Sequence, residues 1–186
     1  VRNIYIELGT HRGRRCLHKF QELVAQDKNI IIYGFEASPR FINQGRYMEK
    51  TLGGCFHFIN QAAWIENGEK TLYLATGSVG SSFFETKRGI IPGSQKTVQC
   101  IDFSQWLSDN FKIEDHIVLA MDIEGSEYDV LCKMIDDDTI SLINKLIIEF
   151  HSYRKIRDKR IHKLYPYLLD YLNNHPIEVE TMRKKT

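Results

Sequence analysis

The chain has 186 residues, a formal net charge of +1, and 42% hydrophobic and 26% charged residues. That length suits one domain with its own core, and the composition is ordinary for a globular protein. The balanced charge excludes a global pull toward nucleic acid or a membrane surface, so neither partner is expected.

No stretch reads as a signal peptide, and no apolar run reaches about 18 residues, so no membrane span is expected. Cys16, Cys55, Cys100 and Cys132 form no C-x-x-C pair, and each lies in an apolar run. Buried free thiols are expected, which favours a reducing, cytoplasmic location. The chain opens at Val1 directly on an apparent strand. The expectation is a single domain, residues 1–186, excised from a longer protein.

Ile4 to Leu8 reads as a buried strand ending in a glycine turn, IELGTHRG. Arg12 to Gln26 carries Cys16, Phe20, Leu23 and Val24 at helical spacing. Asn29 to Glu36 is a second strand, apolar on both faces as in parallel sheets. Ser38-Pro39 supplies an N-cap and a proline for a helix reaching about Leu52, which Gly53-Gly54 ends. Cys55 to Trp64 reads as a third strand, and Thr71 to Ala75 as a strand after the turn at Glu66–Glu69. Gly77 to Lys96 reads as a long Gly/Ser-rich loop of the lid or binding-loop kind. Val98 to Ile101 reads as a short strand, and Asp102 caps the helix FSQWLSDNF. His116 to Asp122 is a buried strand ending in an acid, Ser126 to Ile135 a helix, and Lys145 to Phe150 a strand. A helix over Arg160 to Asn173 and a strand over Ile177 to Thr181 complete the chain.

Alternating strands and helices predict a Rossmann-like, doubly wound α/β fold with a mostly parallel sheet flanked by helices. Ligands on such sheets bind at the carboxyl ends of the strands, near the switch in strand order. Those ends deliver Glu7-Leu8-Gly9, Glu36, Gln61-Ala62-Ala63, Asp122-Ile123-Glu124-Gly125, and Glu149 with His151. Acids gather on one edge of the sheet.

The glycine turn lacks the middle glycine of the dinucleotide pattern G-x-G-x-x-G, since Thr10 and His11 stand between Gly9 and Gly13. Glu36 stands where an acid accepts from the two ribose hydroxyls of an adenosine; the plainer reading is a surface acid at a strand end. Glu7 would repel a pyrophosphate but would suit an ammonium or a sulfonium. Free N–H groups of the helix starting near His11 would hold a carboxylate. S-adenosylmethionine, an amino acid joined to adenosine through a cationic sulfur, fits both features.

The ordered set ELGTHRG, YGFEASPRF, NQAAW, GSSFF, MDIEGSEYDVL and IIEFH resembles the FkbM family of S-adenosylmethionine-dependent methyltransferases. The resemblance runs from about Ile4 to His151. Its most specific piece is the Asp-x-Glu-Gly-x-Glu core with a following Val-Leu pair, here Asp122, Glu124, Gly125, Glu127, Val130 and Leu131. It implies a class I methyltransferase sheet and methylation mainly of hydroxyls, often on sugars. It places Glu7, Gly9, Thr10, Gly13, Glu36, Ala37, Ala62, Ala63 and Asp122 around S-adenosylmethionine. The acceptor is expected to be a carbohydrate or glycan, with glycosyltransferase-type domains fused in the full-length protein. Departures are Glu7 where the family has Asp, Ala120 where a Lys is common, Ala37 in place of Pro, and no evident final antiparallel hairpin.

A hydroxyl acceptor needs a base or a metal to take its proton. Asp122, Glu124, Glu149 and His151 are the candidate catalytic residues, Asp122 first. Ser81, Ser82 and Glu127 are candidate substrate contacts, with Phe83 or Phe84 stacking on a sugar. Glu127 equally suits the first turn of a helix, where an acid meets the helix dipole. Asp122 with Glu149 would suit Mg²⁺, although no metal is predicted. The basic run His151 to Arg160 is either a solvated segment or a grip on an anionic part of the acceptor. Two other functions remain open: a nicotinamide-dependent oxidoreductase on the same architecture, and a non-catalytic cofactor-binding module of a glycan-building protein.

Overall fold

The computed structural model describes residues 1–13, 17–18, 21–22, 30–76 and 80–182. The helix expected over Arg12 to Gln26, with Cys16, Phe20, Leu23 and Val24, falls largely outside the described residues, as do Gly77, Ser78 and Val79 of the expected loop.

Six parallel strands form the main sheet: β1 (Asn3–Leu8), β2 (Ile30–Phe35), β3 (Phe56–Ile59), β7 (His116–Met121), β8 (Lys145–Ile148) and β9 (Glu178–Thr181). Their order is β3-β2-β1-β7-β8-β9. The chain runs outward from β1 to β3, then returns to β7 on the other side of β1. The switch point therefore lies between β1 and β7. Ile4, Ile6 and Leu8 feed one core and Tyr5 the other, because successive side chains of a strand point to opposite faces. With both faces covered, the central strands β1, β2 and β7 are largely apolar.

The first core packs the sheet against α2 (Phe103–Asn110), α3 (Glu127–Asp136) and α5 (Ile161–Asn173). The second core packs it against Met48 of α1 (Ile42–Leu52). A short helix, α4 (Tyr153–Ile156), follows β8.

Register places the functional edge. Leu8 pairs with Phe35 on one side and Met121 on the other, and Met121 pairs with Ile148. Gly9, Glu36, Asp122 and Glu149 are the next residue on each strand, so they stand level at one edge.

Four expectations change. The third strand is two: β3 ends at Ile59, and β4 (Ala62–Trp64) belongs to a second sheet with β5 (Gly68–Ala75) and β6 (Ile90–Asp102), in the order β4-β6-β5. The break falls where Asn60 Nδ2 donates to the Glu36 carbonyl at 2.7 Å. The expected short strand is the end of β6 (Ile90–Asp102), which pairs antiparallel with β5 (Gly68–Ala75). Backbone pairing with β5, rather than buried side chains, orders its first half. Ser38 makes no side-chain cap bond, and a 3₁₀ turn over Pro39–Phe41 precedes α1. Of the described cysteines, all free, Cys100 is buried, whereas Cys55 and Cys132 are half-buried. Asp102 does cap α2, accepting from the Gln105 N–H at 3.0 Å.

Candidate active site

The turn after β1 is held by the backbone. The N–H groups of Gly9 and Thr10 both donate to the Phe35 carbonyl, at 2.9 and 3.0 Å. Gly9 has φ +83°, and a Cβ there would stand 2.2 Å from the Asp122 carbonyl oxygen. Only glycine accepts both the conformation and the contact. Gly13 abuts the Met48 sulfur of α1, so it seats the turn on the helix.

Glu36 follows β2 and is 8% exposed. Its Oε2 accepts from the His11 N–H and its Oε1 from the Ser38 N–H, both at 2.7 Å. Burial pushes its carboxyl up, and these two bonds oppose the rise. A carboxylate has about four acceptor sites, so further donors can be met. The buried Ser38 Oγ beside it has no hydrogen-bond partner among the described residues.

A cavity of about 330 Å³ opens at this edge. Gly9, Glu36 and Ala37 line it from the first two strands, and Ala62 and Ala63 from β4. Ser81 and Ser82 line it from the segment before β6, and Asp122, Glu124 and Glu149 from the turn after β7 and the end of β8. His11, Ser38, Phe41 and Leu72 also line it and were not singled out as site residues. For His11 and Ser38 the available signal was proximity to the glycine turn and to Glu36. Glu7, Thr10, Gly13, Glu127 and His151 are not part of the lining. Glu7 is 1% exposed, two residues short of the edge, and in register with Gly34 and Ala120.

Next to the lining acids lies an ionic cluster. Glu127 is fully buried; its Oε1 accepts from the Ile123 N–H at 2.9 Å and its Oε2 from the Gly125 N–H at 2.8 Å. The same Oε1 lies 2.9 Å from His151 Nδ1. Glu127 therefore braces the turn after β7, and the structure does not bring it to the cavity as a substrate contact. His151 Nε2 lies 2.9 Å from Glu124, 3.5 Å from Glu149 and 3.8 Å from Asp122. Tyr128 Oη donates to the His151 carbonyl at 2.9 Å.

Burial disfavours the His151 charge, but the Glu124 and Glu127 carboxylates prevail and raise it to about 10. Burial likewise disfavours the Glu124 charge, yet His151 and Lys87 hold it down to about 2. Both groups stay charged at neutral pH, so His151 is poorly suited to accept a proton. Glu124 has φ +56°, a left-handed conformation unusual for a side-chain-bearing residue.

Among the described residues, Asp122, Glu127 and His151 have ligand atoms within 4.8 Å of one another. Glu149, half of the pair considered for Mg²⁺, is not in that group. Glu127 already serves two N–H groups and His151, so the set is a poor metal cage.

A doubly wound parallel sheet flanked by helices, with acids around a cavity at the switch point, is a Rossmann-like α/β architecture. The sequence model of the methyltransferase FkbM domain matches residues 7–175, and the chain belongs to the FkbM methyltransferase family. Among solved structures, the crystal structure of methyltransferase FkbM from Methylobacillus flagellatus KT is similar, at 13% identity and a TM-score of 0.48. The match covers 91% of this chain and 37% of that one. No curated protein matches the chain significantly. No helix among the described residues is long and apolar enough to cross a membrane.

Proposed function

We propose that the chain transfers a methyl group from S-adenosylmethionine to a hydroxyl of a sugar or glycan. The observation that carries this reading is Glu36, a buried carboxylate held by two backbone N–H groups in the same cavity as Asp122 and Glu149. The residues suit the cofactor: Gly9 leaves no room for a side chain at the turn, and Ser38 offers a buried hydroxyl beside Glu36.

Glu36 would accept from the ribose hydroxyls, with Ser38 at the same end. Ala62 and Ala63, small and apolar, would flank the flat adenine. When bound, S-adenosylmethionine supplies a methyl already activated on a sulfonium. The protein's task is then to place and deprotonate the acceptor. An alcohol is a poor nucleophile at neutral pH, and Asp122, level with Gly9 across β1 and β7, would take its proton. Glu149 stands at the same edge. His151 and Glu127 act behind these acids, fixing the turn that carries Asp122 and Glu124. Ser81, Ser82 and Phe83 form the wall that the acceptor would meet.

Incubating the chain with methyl-labelled S-adenosylmethionine and a panel of mono- and oligosaccharides tests the reading. Label in a sugar supports it. Cofactor binding with no transfer across the panel would favour a non-catalytic module, and NADH binding in its place would favour an oxidoreductase.

A further inference from the structure

A lysine reaches the acidic edge from a part of the chain that carries no strand or helix. Lys87 lies in the segment 80–88, its side chain is 6% exposed, and it is not part of the cavity lining. Its Nζ donates to the Gly80 carbonyl at 2.5 Å and lies 3.2 Å from Glu124 Oε2. A lysine is rarely this buried unless its charge is paired.

Glu124 meets the same segment through its main chain, because Ser82 Oγ donates to its carbonyl at 2.6 Å. Its carboxylate therefore sits between two buried cations, His151 on the sheet side and Lys87 on the wall side. Gly80, Ser82, Asp122 and Glu124 all line the cavity.

We infer that Lys87 is a positioning residue of the transfer site: by joining the Gly80 carbonyl to the Glu124 carboxylate, it sets the acceptor-side wall against the turn that carries Asp122. The inference rests on the methyl-transfer reading for its catalytic consequence, and on the geometry alone for its structural one. Lys87 acts through Glu124, since it does not reach the cavity. The segment has other anchors, among them Thr86 Oγ1 to the Ile156 carbonyl at 2.9 Å and Arg88 N–H to the Lys155 carbonyl at 2.8 Å. Removing the charge should therefore loosen the wall without unfolding the chain.

The test compares wild type, Lys87→Met, which keeps the apolar stem, Lys87→Arg, Glu124→Gln and the double variant Lys87→Met/Glu124→Gln. Three quantities are read: S-adenosylmethionine affinity, kcat and KM for the best acceptor of the sugar panel, and amide hydrogen exchange over 80–88 and 122–126. In Lys87→Met, exchange over both segments should quicken about tenfold. Its kcat should fall about 100-fold, the scale of a misplaced reacting group, with cofactor affinity nearly unchanged. Lys87→Arg should recover most of both, and the double variant should be no worse than Glu124→Gln.

Wild-type exchange and kcat in Lys87→Met would overturn the inference, as would effects that simply add in the double variant. If the wild type neither binds the cofactor nor transfers methyl, the parent reading fails. The exchange comparison still decides whether Lys87 holds the wall.

Discussion

Gly9 and Asp122 meet so closely that a Cβ on Gly9 would stand 2.2 Å from the Asp122 carbonyl oxygen. The contact joins the ends of two neighbouring strands into one floor beneath the cavity. It explains why the turn needs glycine at position 9 although the dinucleotide pattern is incomplete.

Gly9→Ala should therefore destabilise the fold by at least about 2 kcal/mol, since both the left-handed backbone and the contact resist a side chain. Gly54→Ala is the control: a Cβ there has nothing within 4 Å, so the change should stay within about 0.5 kcal/mol. Urea unfolding of both variants reads the difference. Equal stability would show that the two strand ends move apart at little cost.

The ionic cluster predicts a pH dependence of stability. His151 rises from its ordinary 6.5 to about 10 on folding, so its contribution is complete below about pH 6.5 and is lost as pH rises through 10. Glu124 falls from 4.5 to about 2, so its contribution is complete above about pH 4.5 and is lost as pH falls through 2. Glu127→Gln removes one of the charges that raise His151, and should move the alkaline loss to lower pH. Melting temperature followed from pH 3 to about 10 checks this, and an unmoved alkaline limb in Glu127→Gln would count against the pairing.

Asp122 and Glu124 are two residues apart, but their surroundings differ, and the proposed function gives them different work. Asp122→Asn should cut turnover about 10²- to 10⁴-fold, the usual range for a lost general base, while cofactor affinity changes little. Glu124→Gln should act by disturbing the wall, so its loss of turnover should come with faster amide exchange over 80–88. Steady-state kinetics with exchange on both variants separates the roles. Unchanged turnover in Asp122→Asn would remove that residue from the mechanism.

The functional edge was legible because apolar runs ended in acids: β2 is followed by Glu36, β7 by Asp122 and β8 by Glu149. Parallel register then made those ends level. The first half of β6 was not legible, because its residues are largely exposed and its order comes from backbone pairing with β5. Glu127 was visible as a first-turn acid, but its bonds to the Ile123 and Gly125 N–H groups depend on a turn the pattern does not encode. Lys87 carried no local signal, since its partners, Gly80 and Glu124, lie 7 and 37 residues away in sequence and meet it only once the segment is docked.

Isothermal titration of S-adenosylmethionine into the folded chain and into Glu36→Ala tests the central claim most directly. Wild type should bind one equivalent. Loss of a charged hydrogen-bond acceptor should weaken Glu36→Ala about tenfold to hundredfold. No binding by folded wild type, or equal binding by Glu36→Ala, would contradict a cofactor held through that carboxylate.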